Sequence, residues 1–92
     1  MNYDVVIVGL GYIGLPTSAV LANSNFNVLG VDINSSVVDT INEGKIHIVE
    51  PELSEIVEKV VHEGKLKAST KLIEADVYII VVPTPFDDKY NP

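Results

Sequence analysis

One apolar stretch that runs into a glycine turn constrains this chain more than any other feature. Asp4-Val5-Val6-Ile7-Val8 leads directly into Gly9-Leu10-Gly11-Tyr12-Ile13-Gly14, and Asp32 follows at the end of the next apolar run. A strand, a G-x-G-x-x-G turn, a helix, a second strand and an acidic residue stand here in dinucleotide-binding order. Each glycine then has a mechanical task. Gly9 makes the tight turn off the strand, Gly11 lets the backbone approach a pyrophosphate, and Gly14 lets the helix pack close to the sheet. The amides of Tyr12 and Ile13, at the start of that helix, face the phosphates. Asp32 is placed to accept hydrogen bonds from the adenosine ribose hydroxyls. A carboxylate there repels a 2′-phosphate, and no Arg or Lys follows within the next twelve residues to offset it. The expected cofactor is NAD.

The remaining pattern extends this start into an α/β fold. The first strand is read as Tyr3 to Val8, apolar nearly throughout, as suits a parallel strand covered on both faces. The first helix is expected over Tyr12 to Asn23, with Pro16 in its first turn, where a missing N–H costs little. A second strand follows over Asn27 to Asp32. Asn34 reads as the N-cap of a helix that carries Val37, Val38 and Ile41 and stops at Gly44. Pro51 is expected at the first position of another helix, whose stripe of Leu53, Ile56, Val57, Val60 and Val61 ends at Gly64. Leu66 to Ser69 is a short third strand, and Asp76 to Val82 a fourth that ends in Pro83-Thr84-Pro85.

Right-handed crossovers order four such strands 3-2-1-4, the first half of a Rossmann-type parallel sheet with flanking helices. Strands 1 and 4 are then neighbours at the topological switch point, where open α/β sheets bind ligands. Thr84, held stiffly between two prolines, is placed there with its hydroxyl free to meet a phosphate or a ribose. The outer edge of the fourth strand is apolar and free of proline, which invites pairing with another chain, so self-association along it is expected.

Composition removes other classes of function. The 92 residues carry six lysines, no arginine and a net charge of −7. That disfavours nucleic acid, which needs clustered basic groups on its phosphates. It leaves a phosphate-bearing cofactor open, because backbone amides hold the phosphates of a dinucleotide. There is no cysteine, so neither a disulfide framework nor a thiolate metal site can form. The chain enters a strand at once without a basic leader, and no apolar run approaches the ~20 residues of a membrane span. It is expected to be cytoplasmic.

The other polar residues read as structural. His47 lies in a connector and His62 near a helix C-terminus, where a cation suits the helix dipole, and no ligand-spaced partner supports either. Glu50, Glu52, Glu55 and Glu58 line the start of a helix as a solvated acidic face. Ser35 and Ser36 open a helix and show no nucleophile context. The sequence thus shows a binding site, with no catalytic or metal-ligating residue.

Several segments together resemble the UDP-glucose/GDP-mannose dehydrogenase family. They are Gly9 through Pro16, Gly30-Val31-Asp32-Ile33-Asn34, Val38-Asp39-Thr40-Ile41-Asn42, Ile46-His47-Ile48-Val49-Glu50-Pro51-Glu52-Leu53, Ala75-Asp76 and Val82-Pro83-Thr84-Pro85-Phe86. The Ile46 to Pro51 stretch is most similar to members that act on UDP-N-acetyl-D-mannosamine. The resemblance implies oxidation of C6 of a UDP-sugar to a carboxylate by two NAD-dependent hydride transfers. It implies cofactor contacts at the glycine turn with Tyr12 and Ile13, at Asp32 and at Thr84. In the family an N-terminal NAD domain precedes a helical dimerisation region and a sugar-nucleotide domain, and a cysteine thiolate captures the carbonyl carbon. Residues 1–92 are therefore expected to be a truncated NAD-binding domain of a homo-oligomeric enzyme, lacking the substrate domain and inactive alone. The chain departs from many members at Val37, where they carry Lys or Arg. The alternative reading is a non-catalytic module that binds NAD for regulation.

Overall fold

Val5, Val6 and Ile7 are buried at the centre of a sheet because their strand has a parallel neighbour on each side. A computed structural model describes residues 3–81 of the chain. In chain order the elements are β1 (Tyr3–Val8), α1 (Gly14–Asn23), β2 (Val28–Val31), α2 (Ser35–Asn42), α3 (Leu53–His62), β3 (Leu66–Ser69) and β4 (Ala75–Ile80). The sheet order is β3-β2-β1-β4, all parallel, as the crossover argument requires.

Strand alternation divides the sheet into two apolar faces. Val5, Ile7, Val28, Leu66 and Ala68 pack against the helices, where Leu15 and Ala19 of α1, Val38 and Ile41 of α2, and Val57 and Val60 of α3 complete one core. Tyr3, Val6, Leu29 and Val31 form a second cluster, with Val8 and Ala75 beside it. The helices owe their positions to their stripes. In α3, Leu53, Val57 and Val60 are buried while Ser54, Glu55, Glu58 and Lys59 face outward.

Helix ends follow the capping rules where the sequence supplies a cap. The Asn34 side chain accepts a hydrogen bond from the Ser36 amide at 3.0 Å and caps α2. Gly44 and Gly64, both with positive φ, end α2 and α3. Pro51 precedes the helix by two residues and does not open it. It lies with Glu52 in a turn closed by the Leu53 amide on the Glu50 carbonyl at 3.0 Å, and the helix proper begins at Leu53. Helix α1 also starts later than the sequence pattern suggests, at Gly14, because Gly11 to Ile13 form the turn itself. No helix among the described residues is long and apolar enough to cross a membrane.

Candidate functional site

The carboxyl ends of β1, β2 and β4 open onto a cavity of about 680 Å³. Its lining combines the glycine turn (Gly9, Gly11, Tyr12, Ile13) with Asp32 and Ile33 beyond β2 and Val81 beyond β4. Segments distant in sequence meet at the switch point between β1 and β4, where a parallel sheet offers its crevice.

The turn is shaped by what its glycines exclude. Gly9 has a φ of 104°, a conformation costly for any side chain, and a Cβ there would collide with the Val81 carbonyl oxygen. A Cβ on Gly14 would run into the Gly9 carbonyl oxygen and would stand 3.6 Å from the Ile7 side chain. Close packing of α1 on β1 therefore depends on Gly14, which is buried behind the cavity rather than lining it. Gly11 differs: a Cβ built on it meets nothing within 4 Å. The space over Gly11 is open, and its backbone can be approached.

The N-terminus of α1 is bare toward this opening. Ile13, at the N-cap position, makes no side-chain cap, and the first turn holds no acidic residue. Among the described residues the amides of Gly11, Tyr12 and Ile13 find no acceptor. Unpaired amides at the positive end of a helix dipole attract an anion.

Asp32 stands on the other side. It is partly buried, and both carboxylate oxygens are already engaged. Oδ2 accepts from the Leu10 amide at 3.0 Å and Oδ1 from the Asn34 amide at 3.0 Å. An ionised carboxylate offers about four acceptor directions, so these two bonds leave about two unused. Ile33, 95 % exposed, extends the lining with an apolar side chain next to that carboxylate. Tyr12 and Ile13 are also largely exposed on the turn.

Thus the structure gathers Gly9, Gly11, Tyr12, Ile13 and Asp32 around one space and sets Gly14 behind it. Thr84 lies outside the described residues. Leu10 escaped the motif reading because it occupies a variable position of the fingerprint. It is fully buried, with its methyls against Gly30. The acidic residues Glu50, Glu52, Glu55 and Glu58 are all solvent-exposed, as are His47 and His62, and none of the six lines the cavity.

A half-Rossmann sheet with a glycine turn, a bare helix N-terminus and a carboxylate at the end of its second strand defines a dinucleotide-binding domain. Residues 3–92 match the NAD binding domain of the UDP-glucose/GDP-mannose dehydrogenase family, and the chain belongs to that family. It is 57% identical over 89 residues to UDP-N-acetyl-D-mannosamine dehydrogenase of Campylobacter jejuni, covering 96% of this chain and 22% of that protein. It is 54% identical over 88 residues to NDP-N-acetyl-D-galactosaminuronic acid dehydrogenase of Ralstonia nicotianae, covering 96% of this chain and 21% of that protein. The UDP-N-acetyl-mannosamine dehydrogenase of Staphylococcus aureus superposes with a TM-score of 0.87 at 52% identity, over 92% of this chain and 21% of its own. The chain spans about a fifth of the length of these relatives. Its cofactor is NAD.

Proposed function

We propose that the chain supplies the NAD site of a UDP-sugar 6-dehydrogenase that converts UDP-N-acetyl-D-mannosamine to the corresponding uronate, in a homo-oligomeric, cytoplasmic enzyme. The observation that carries the site reading is the pairing, across one cavity, of the bare α1 N-terminus with the Asp32 carboxylate. The residues present suit the cofactor. The free amides of Gly11, Tyr12 and Ile13 hold the pyrophosphate, and the open space over Gly11 admits it. Asp32 receives the adenosine ribose hydroxyls through its two remaining acceptor directions, and its charge turns away a 2′-phosphate. Ile33 gives the adenine an apolar surface at the rim. Gly9 and Gly14 keep the turn tight and the helix close, and Thr84 adds a hydroxyl from the segment after β4.

Bound NAD supplies the hydride acceptor for oxidation of C6. What this chain contributes is binding, orientation and discrimination. None of its residues is assigned a catalytic role, and it contains no cysteine to act as the thiolate nucleophile of the family. The dimerisation and sugar-nucleotide parts are assigned to regions outside these residues. The substrate assignment draws support from the names of the Campylobacter jejuni and Staphylococcus aureus relatives and from the Ile46 to Pro51 stretch.

Titration calorimetry tests the site, with NAD expected to bind more tightly than NADP. Failure of NAD to bind, or equal binding of the two, overturns the assignment. Incubation of the chain with NAD and UDP-N-acetyl-D-mannosamine is expected to form no NADH, and measurable turnover would refute inactivity in isolation.

A further inference from the structure

Leu10 is pinned at two points. Its side chain is 1 % exposed and rests on Gly30, where a Cβ would approach a leucine methyl to 2.6 Å. Its amide donates to Asp32 Oδ2 at 3.0 Å, across 22 residues of sequence. The second oxygen of the same carboxylate is fixed by the Asn34 amide, and Asn34 itself is locked as the cap of α2 by the Ser36 amide and, at 2.9 Å, the Ser36 hydroxyl. A continuous set of hydrogen bonds therefore runs from the α2 N-terminus through Asp32 to the middle of the glycine turn.

We propose that Asp32, besides binding the ribose, is a positioning residue for the pyrophosphate loop: clamped between the Leu10 and Asn34 amides, it holds the glycine turn in its binding geometry. This rests on the reading of the cavity as an NAD site. The need for a clamp follows from the turn itself. Leu10 is flanked by Gly9 and Gly11, and glycines surrender the most backbone freedom on ordering. A turn already fixed before the ligand arrives avoids that loss on binding. The clamp also deepens cofactor choice. With both oxygens bonded, the carboxylate cannot swing aside for a 2′-phosphate without stranding the partly buried Leu10 amide. Neutralising the residue is no remedy. The Asp32→Asn carboxamide keeps one acceptor and turns a donor toward the other amide.

The test separates the two roles with a ligand that has nothing for a ribose-binding carboxylate to hold. Affinities of the full chain and of Asp32→Asn are measured for NAD and for an NAD analogue whose adenosine ribose lacks both hydroxyls. If Asp32 acts on the ribose alone, the analogue binds both forms equally, and the proposal fails. If it also holds the turn, Asp32→Asn weakens the analogue as well, by about tenfold, the scale of one hydrogen bond to a charged group. Amide hydrogen exchange without ligand gives a second readout. Leu10 is expected to exchange far more slowly than Gly11, and to lose that protection in Asp32→Asn. A Leu10 amide that exchanges as fast as Gly11 in the unsubstituted chain overturns the clamp, even if the variant does not fold. Should the unsubstituted chain not bind NAD, the site reading falls and the coupling with it, while exchange still decides whether the carboxylate holds the turn.

Discussion

Gly11 and Gly14 belong to one motif yet place opposite demands on a side chain, and the difference separates folding from binding. A methyl on Gly14 would meet the carbonyl oxygen of Gly9, a residue whose amide is bonded to the Val31 carbonyl of β2 at 2.8 Å, so α1 must retreat from β1. Gly14→Ala is expected to destabilise the chain by roughly 2–4 kcal/mol, read from urea denaturation, in the range of severe overpacking. A methyl on Gly11 meets nothing, and Gly11→Ala should change stability by under about 1 kcal/mol. It would, however, occupy the space assigned to the pyrophosphate, so calorimetry should show NAD affinity falling at least about tenfold, the effect of ~1.4 kcal/mol. Undiminished affinity in Gly11→Ala would remove the phosphates from the turn. The tasks of Gly9 and Gly14 could be read from the sequence because spacing alone sets them in a strand-turn-helix. The second duty of Asp32 could not. It depends on the Leu10 amide coming within 3.0 Å, a contact made by the pairing of β1 with β2 and unmarked by any residue type.

Among the elements, the two edge strands are treated differently. The register directs the Ala68 backbone away from β2, and the Asn42 side chain meets it there. Asn42 accepts from the Ala68 amide at 2.8 Å and donates to the Ala68 carbonyl at 2.9 Å, as a neighbouring strand would. At the other edge the Tyr78 hydroxyl serves only the approach to β4, accepting from the Ala75 amide at 3.2 Å and donating to the Ile73 carbonyl at 2.9 Å. Val77, Tyr78 and Ile80 are all exposed, and no described residue pairs with the outer edge of β4. An open apolar edge is a template for strand addition. The 92-residue chain is therefore expected to associate with rising concentration in sedimentation velocity, and Ile80→Lys to suppress this with little change in stability. Asn42→Ala should cost about 1–2 kcal/mol by stranding a backbone pair, and should add association through β3. Association that persists unchanged in Ile80→Lys would place the contact elsewhere. The apolar character of β4 was legible in the run from Val77 to Ile80, whereas the Asn42 clamp was not, since nothing in the sequence brings position 42 to position 68. Element ends shifted by a residue. Asn27 and Asp32, read as the limits of the second strand, fall just outside β2, although the Asn27 carbonyl still accepts from the Asp4 amide at 2.8 Å and the Asp32 amide donates to the Ser69 carbonyl at 3.1 Å.

For the whole molecule, size and site are linked. A chain of 92 residues buries only about 60–65% of the surface its unfolded form exposes, so its stability is small and any ligand of the folded state shifts it visibly. The order β3-β2-β1-β4 places the cavity where three strand ends converge, and the glycine turn, Asp32 and the residue after β4 all belong to its wall. A ligand there fastens β1, β2 and β4 together, and its binding energy becomes folding energy by mass action. At a concentration one hundred times Kd the gain is about 2.7 kcal/mol. For a domain of this size each kcal/mol raises Tm by about 4–8 °C, so saturating NAD is expected to raise it by roughly 10–20 °C in scanning calorimetry. NADP at the same concentration should raise it much less, because on the proposed reading its 2′-phosphate would meet the Asp32 carboxylate at the end of β2. Equal shifts from the two nucleotides would show that the carboxylate does not face the ribose. A shift from neither would show that the amides at the α1 N-terminus do not hold the pyrophosphate.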